Sequence, residues 1–267
     1  MGHFPSPSPE FVPTVSTTHL LLIPSYNTGP RLLATVQEAL AHWQPVWIVV
    51  DASTDASHEP VVELARHNPQ LRVIVRPTNG GKGAAVLTGA EAALAAGFTH
   101  ALIMDADGQH PADRIADFMA ASAAHPGALV LGKPVFGPEA PQLRLQGRKL
   151  SIGMVRLELL GSGIDDPLFG FRVYPLGPLI AALRSTRFAR RYDFDPEAAV
   201  RMVWAGTPTL NIPATCRYLA KSDGGISHFH YLRDNLRMVW LHTRLVTQLL
   251  LFRWPAALRH QKRRRQS

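Results

Sequence analysis

Four apolar runs, HLLLIPSYN, PVWIVVDAS, LRVIVRP and THALIMDAD, recur through residues 19–107, with segments of helical spacing between them. The runs are continuously apolar and do not alternate with polar residues. Such strands are buried on both faces, as in a parallel sheet with helices on either side. The intervening stretches RLLATVQEALAHW, ASHEPVVELARHN and AAVLTGAEAALAAG space their apolar residues as helices do, and the first starts near Pro30. The expected fold class is therefore α/β, a Rossmann-like, mainly parallel sheet. At 267 residues and 46% hydrophobic content the chain can bury one large core plus a modest appendage. Its single cysteine, Cys216, rules out an internal disulfide.

Ligands of parallel α/β sheets gather at the carboxyl ends of the strands, and there the polar residues fall. Tyr26 and Asn27 follow the first run, and Asp51, Ser53 and Asp55 the second. Asn79 and Lys82 follow the third, Asp105 and Asp107 the fourth. The glycine-rich TNGGKG at 78–83 is neither a Walker A loop, which needs Ser or Thr after its Lys, nor a dinucleotide fingerprint, since Val86 stands where the third Gly belongs. It leaves one lysine at a helix N-terminus, suited to an anion. If the backbone stays extended, Asp105 and Asp107 point to one side. Two carboxylates with Gln109 nearby make an oxygen-only donor set suited to Mg²⁺ or Mn²⁺, whose remaining positions take water and phosphate oxygens. His110, between Gln109 and Pro111, reads as a packing residue more than a ligand.

Five stretches, PSYN (24–27), VVDASTDAS (49–57), NGGKGAAVLTG (79–89), MDADGQHP (104–111) and DPLFGFRVYP (166–175), stand in the order seen in family 2 glycosyltransferases. Over about residues 19–215 the chain resembles the branch of dolichyl-phosphate mannosyltransferases and polyprenyl-phosphate glycosyltransferases. The resemblance implies a GT-A fold, a UDP- or GDP-linked sugar donor, a lipid-type acceptor and a divalent metal, Mg²⁺ or Mn²⁺. It places Pro24, Tyr26, Asn27, Asp51, Ser53 and Asp55 around the base and ribose, and Lys82 close to the nucleotide. Asp105, Asp107 and Gln109 would hold the metal, with Asp105 also facing the donor. Two departures stand out: Ala52 follows Asp51 where the family usually has a second Asp, and Thr28 replaces an acidic residue.

For the second half, the resemblance puts the Gly-Phe-Arg turn at 170–172 beside the acceptor. Asp166, Arg172 and Glu197 are the catalytic candidates, with Asp165, Asp193 and Asp195 as further carboxylates. A hydroxyl acceptor needs a general base; a phosphate acceptor is already an oxyanion and needs none. Asp195, before Pro196, reads as a helix cap. Arg144, Arg148 and Lys149 can face an anion. Alternating His228 and His230 lack the further ligands of a zinc site.

Charge divides the chain. Residues 1–216 carry 17 Lys+Arg against 18 Asp+Glu, whereas residues 217–267 carry 11 against 2. The organisation expected is a flexible lead-in at 1–18, a transferase domain at 19–216 and a basic amphipathic helical segment at 217–267. Basic residues interleaved with Leu and Trp fit an anionic membrane surface better than nucleic acid. No stretch reaches the ~18 apolar residues of a membrane span, and the first residues lack the pattern of a signal peptide. The location expected is cytoplasmic, peripheral on the inner face of the cytoplasmic membrane. Two other functions share these features: a sugar-phosphate nucleotidyltransferase, whose arginine-containing glycine loop PSYNTGPR does not match, and a catalytically degenerate nucleotide- or membrane-binding scaffold.

Overall fold

The computed structural model describes residues 14–137, 142–161, 163–216 and 231–266. In chain order the elements are β1 (Thr14–Val15), β2 (His19–Ser25), α1 (Arg31–His42), β3 (Trp43–Gln44), β4 (Val46–Asp51), α2 (Glu59–Arg66), β5 (Leu71–Arg76), α3 (Lys82–Ala95), β6 (His100–Ile103) and α4 (Ile115–Ala124). There follow β7 (Leu129–Phe136), α5 (Gln142–Glu158), β8 (Arg172–Pro175), α6 (Leu176–Arg184), α7 (Phe194–Trp204), β9 (Thr209–Cys216), α8 (Tyr231–Gln248), a π-helical turn (Leu249–Arg253) and α9 (Trp254–Gln266).

The main sheet has seven strands in the order β5-β4-β2-β6-β8-β7-β9. β5, β4, β2 and β6 are parallel, as the four apolar runs require. β8 runs antiparallel to both β6 and β7, and β7 and β9 are parallel to one another. β8 alone is reversed, which brings the turn before it to the same sheet edge as the carboxyl ends of β2, β4 and β6. Leu20 and Leu22 of β2 face one layer, with α3, α6 and α7; Leu21 and Ile23 face the other, with α1 and α4. This alternation between two buried faces is the physical content of a continuously apolar strand.

The fourth strand is shorter than its apolar run. β6 ends at Ile103, and Asp105 and Asp107 lie beyond it in a turn closed by Gly108 at φ 75°. The extended geometry expected across both carboxylates is therefore absent at Asp107. α7 also starts earlier than its sequence pattern implies, at Phe194. Asp193, just before it, makes no cap bond; its carboxylate accepts from the N–H groups of Ala189 and Arg191 in the preceding loop.

α8 and α9 pack on the body through Leu241, Leu245, Leu249, Ala256 and Ala257, all buried in the same cluster as α3, α6 and α7. Among the described residues no helix is long and apolar enough to cross a membrane.

Candidate active site

The carboxyl ends of β2 and β4 are tied together. The Asn27 side-chain carbonyl accepts from the Thr54 N–H at 2.7 Å, and the Asn27 N–H donates to Ser53 Oγ at 3.1 Å. The Gly29 N–H donates to Asp55 Oδ2 at 2.9 Å. Burial pushes the Asp55 carboxyl up, but hydrogen bonds from Ser57 and Gly29 outweigh it and hold it below the ordinary value. Asn27 and Ala52 both occupy the left-handed region, at φ 46° and 56°. Asn tolerates that conformation well and Ala poorly.

Asp51 ends β4 fully buried, and its carboxylate serves the glycine loop. Oδ2 accepts from the Gly81 N–H at 2.6 Å, both oxygens are 3.1 Å from the Gly80 nitrogen, and Arg76 pairs with Oδ1. Asp51 thus fixes the loop that delivers Lys82 to the N-terminus of α3. Tyr26 is 39% exposed beside this edge, while Pro24 is buried within β2.

The chemistry concentrates where α3, β6 and α7 meet. Lys82 Nζ lies 2.7 Å from Asp105 Oδ1 and 2.7 Å from Asp195 Oδ2. Burial works against the Lys82 charge, but the two carboxylates outweigh it and hold the ammonium well above the ordinary lysine value. Burial likewise raises Asp105, yet the Lys82 charge and hydrogen bond outweigh it, so this carboxyl ionises more easily than a free aspartate. Asp107 shifts the other way: burial and the Asp105 charge raise it. Lys82 answers the Asp105 charge, whereas Asp107 forms no ion pair among the described residues.

His110 is buried against Phe169 and Phe171, with ring centroids 4.9 and 5.4 Å away. Its Nδ1 accepts from the Asp105 N–H at 3.0 Å, which leaves the proton of the neutral ring on Nε2, 3.6 Å from Asp105 Oδ2. Burial lowers its affinity for a second proton. His110 therefore orients Asp105 and packs. Gly170 closes the site: a Cβ there would come within 2.6 Å of Lys82 Nζ and 3.2 Å of Asp105 Oδ2.

Asp195 does not cap α7. Its Oδ2 binds Lys82, and its Oδ1 is buried without a hydrogen-bond partner among the described residues. The two residues lie 113 positions apart, so local sequence carries no signal of the contact. Asp166 Oδ1 accepts from Arg148 at 2.6 Å and from the N–H groups of Leu168 and Phe169. Arg172 is fully buried and donates to the carbonyls of Asp166, Pro167, Phe169 and Asp195. It braces the turn and presents nothing to the open site.

Glu197 is fully buried, and both of its oxygens are consumed by Arg244, with Arg201 and Thr186 on Oε1. The structure does not bring it to the Lys82 cluster. Arg144, His228 and His230 lie outside the described side chains. The Cys216 thiol is buried and pushed up to about 11 by that burial, unsuited to nucleophilic work.

Among the described residues no three of His, Cys, Asp or Glu gather as a metal cluster. The donor set is the Asp105 and Asp107 carboxylates, and the Gln109 N–H donates to Asp107 Oδ1 at 3.0 Å. Two hard oxygen donors, one of them without an ion pair among the described residues, fit an ion that takes its remaining ligands from water and phosphate.

Residues 21–175 match the model of "Glycosyl transferase family 2". The chain belongs to that family. This glycosyltransferase is similar to undecaprenyl-phosphate mannosyltransferase of Micrococcus luteus, 28% identical over 78% of this chain and 88% of that one. It is also similar to polyprenol monophosphomannose synthase of Mycolicibacterium smegmatis, 29% identical over 73% and 76%. Among solved structures, glucosyl-3-phosphoglycerate synthase from Mycobacterium tuberculosis superposes with a TM-score of 0.57 at 17% identity, over 88% of this chain and 79% of that one. The glycosyltransferase thus has the GT-A fold, and the nucleotidyltransferase alternative falls away.

Proposed function

We propose that this glycosyltransferase moves a hexose from a UDP- or GDP-linked donor to a polyprenyl-phosphate type of lipid, with inversion at the anomeric carbon and with Mg²⁺ or Mn²⁺. The observation that carries the reading is the pair Asp105 and Asp107 at the end of β6, with the Lys82 ammonium 2.7 Å from Asp105. The names of the two relatives point to the acceptor class.

In this reading Asp105 and Asp107 would hold the ion, which would supply positive charge against the leaving diphosphate. Lys82 supplies a fixed positive charge in the same space and, through its contact with Asp195, keeps that charge aimed. The loops after β2 and β4, with Tyr26, Asn27, Ser53 and Asp55, border the base and ribose, and Asp51 acts on the nucleotide through the glycine loop it holds. An acceptor phosphate oxygen attacks the anomeric carbon as the bond to the diphosphate breaks, and it has no proton to lose. No general base is then required, which agrees with Asp166 being engaged by Arg148 and two amides. Arg172 and Asp166 position the turn at Gly170 against Lys82.

Residues 19–216 carry the transfer in this account, and residues 217–267 keep the enzyme on the cytoplasmic face of the membrane. The test is transfer of radiolabelled sugar from UDP- and GDP-sugars to polyprenyl phosphate, followed into the organic phase, with and without chelator. Chelator-sensitive label from one nucleotide class, lost in Asp105→Asn, is the expected result. Label that persists in chelator or in the variant would overturn the reading.

A further inference from the structure

α8 has two apolar faces and the protein covers one of them. Leu241, Leu245 and Leu249 are buried. On the opposite side Leu236, Val239 and Trp240 are exposed, and Thr243 and Thr247 continue their stripe at helical spacing. Both threonine hydroxyls donate to carbonyls four residues back, Val239 and Thr243, which leaves their methyl groups as the outward surface. The stripe runs into the π-helical turn, where Leu250, Leu251 and Phe252 are 63, 65 and 74% exposed. Residues 250–255, Leu-Leu-Phe-Arg-Trp-Pro, are all exposed. Six consecutive helical residues sweep more than a full turn, so exposed side chains surround the segment through that turn.

Charge identifies what would cover it. The described arginines of α8 are both paired, Arg237 with Asp234 on the same helix and Arg244 with the buried Glu197. Arg253, Arg259 and Lys262, beyond them, are exposed. Next to Phe252 lies a groove of about 530 Å³, walled by Ser185, Thr186, Arg187, Arg201 and Arg253. Phe188 and Gln248 complete its lining, Arg201 is held by Glu197, and the exposed guanidiniums of Arg187 and Arg253 stand beside the apolar Phe252. An anionic bilayer offers both counterparts, acyl chains for the projecting ridge and phosphates for the arginines.

We infer that the ridge of residues 250–254, continued by Leu236, Val239 and Trp240, inserts into an anionic membrane surface while Arg187 and Arg253 engage lipid phosphates. This deepens the peripheral location proposed above and rests on it. It places the contact on the apolar face of α8 and the π-helical turn, with the basic residues at its margin.

The experiment is flotation of the full chain with vesicles of phosphatidylcholine alone and with added phosphatidylglycerol, at low and high salt. Wild type, Leu251→Asp/Phe252→Asp and Arg187→Glu/Arg253→Glu are compared, each with its melting temperature and its affinity for nucleotide. Wild type is expected to float with the anionic vesicles and to release at high salt. Each double variant should bind about tenfold or more weakly while keeping its fold and nucleotide binding. Brominated lipid should quench tryptophan emission, and Trp240→Phe/Trp254→Phe should abolish that quenching. A folded Leu251→Asp/Phe252→Asp that floats like wild type overturns the inference even if the peripheral location stands. Equal binding to neutral vesicles overturns the role of the arginines. A ridge variant that loses self-association but keeps vesicle binding assigns the ridge to a second copy of the chain instead. Loss of nucleotide binding in wild type, by contrast, would strike the proposed reaction and leave the ridge untouched.

Discussion

Two buried clusters of carboxylates and cations lie in this molecule, and they are built differently. Around Glu197, Arg244 makes two contacts of 2.7 Å, Arg201 adds one of 2.8 Å and Thr186 a fourth bond, with the carboxylate fully buried. Around Lys82, the Asp105 side chain is 33% exposed, Asp195 Oδ1 has no hydrogen-bond partner among the described residues and Asp107 is pushed toward its neutral form. The Glu197 carboxylate has both oxygens engaged and joins α7 to α8. The second has coordination to spare and opens toward the strand ends. Burial and charge therefore do not distinguish a structural ion pair from a site; here the difference is a partly exposed carboxylate, Asp105, beside the strand ends.

The largest effect that sharpens the contrast is on turnover. Asp105→Asn removes an ion-binding carboxylate, and sugar transfer should fall by roughly 10³-fold, the scale of several kcal/mol of charge stabilisation, with little change in melting temperature. Glu197→Ala should do the reverse. It strands Arg244 and Arg201 in the interior and should cost about 3–5 kcal/mol in chemical denaturation, while correctly folded enzyme keeps its KM for donor. If Glu197→Ala left stability intact and abolished turnover, the two clusters would have to be reassigned.

A pH experiment follows from the neighbouring Glu158, whose Oε1 is 2.7 Å from His242 Nδ1 and whose Oε2 is buried without a partner among the described residues. Burial pushes this carboxyl above its ordinary 4.5. A raised acid is favoured when protonated, so its contribution is full below 4.5 and is lost as pH rises through the raised value. Glu158→Gln should flatten that part of the stability profile, read as melting temperature against pH. The smallest effect is at Ala52, whose φ of 56° suits glycine. Ala52→Gly should raise stability by about 1 kcal/mol without disturbing the Glu197 cluster.

The same contrast explains what the sequence disclosed. The four parallel strands, and the gathering of Asn27, Asp51, Lys82 and Asp105 at one edge, follow from local periodicity and from where each apolar run stops. The reversal of β8 does not, because a four-residue strand carries no mark of direction. Asp195 reads as a cap because Asp before Pro at a helix start usually is one; its contact with Lys82 exists only once α3 and α7 pack together. Glu197 looks like a catalytic carboxylate until α8 closes on it with Arg244, 47 residues later. Residues that meet through tertiary packing are invisible to spacing rules, as the contacts of Asp195 with Lys82 and of Glu197 with Arg244 are.

The most direct test is calorimetric titration of the protein with UDP-, GDP- and dTDP-sugars, in Mn²⁺ and in chelator, for wild type, Asp107→Asn and Glu197→Gln. The account predicts metal-dependent binding of one nucleotide class, abolished in Asp107→Asn and preserved in Glu197→Gln. Binding that is indifferent to metal and to Asp107, or lost only in Glu197→Gln, would contradict it.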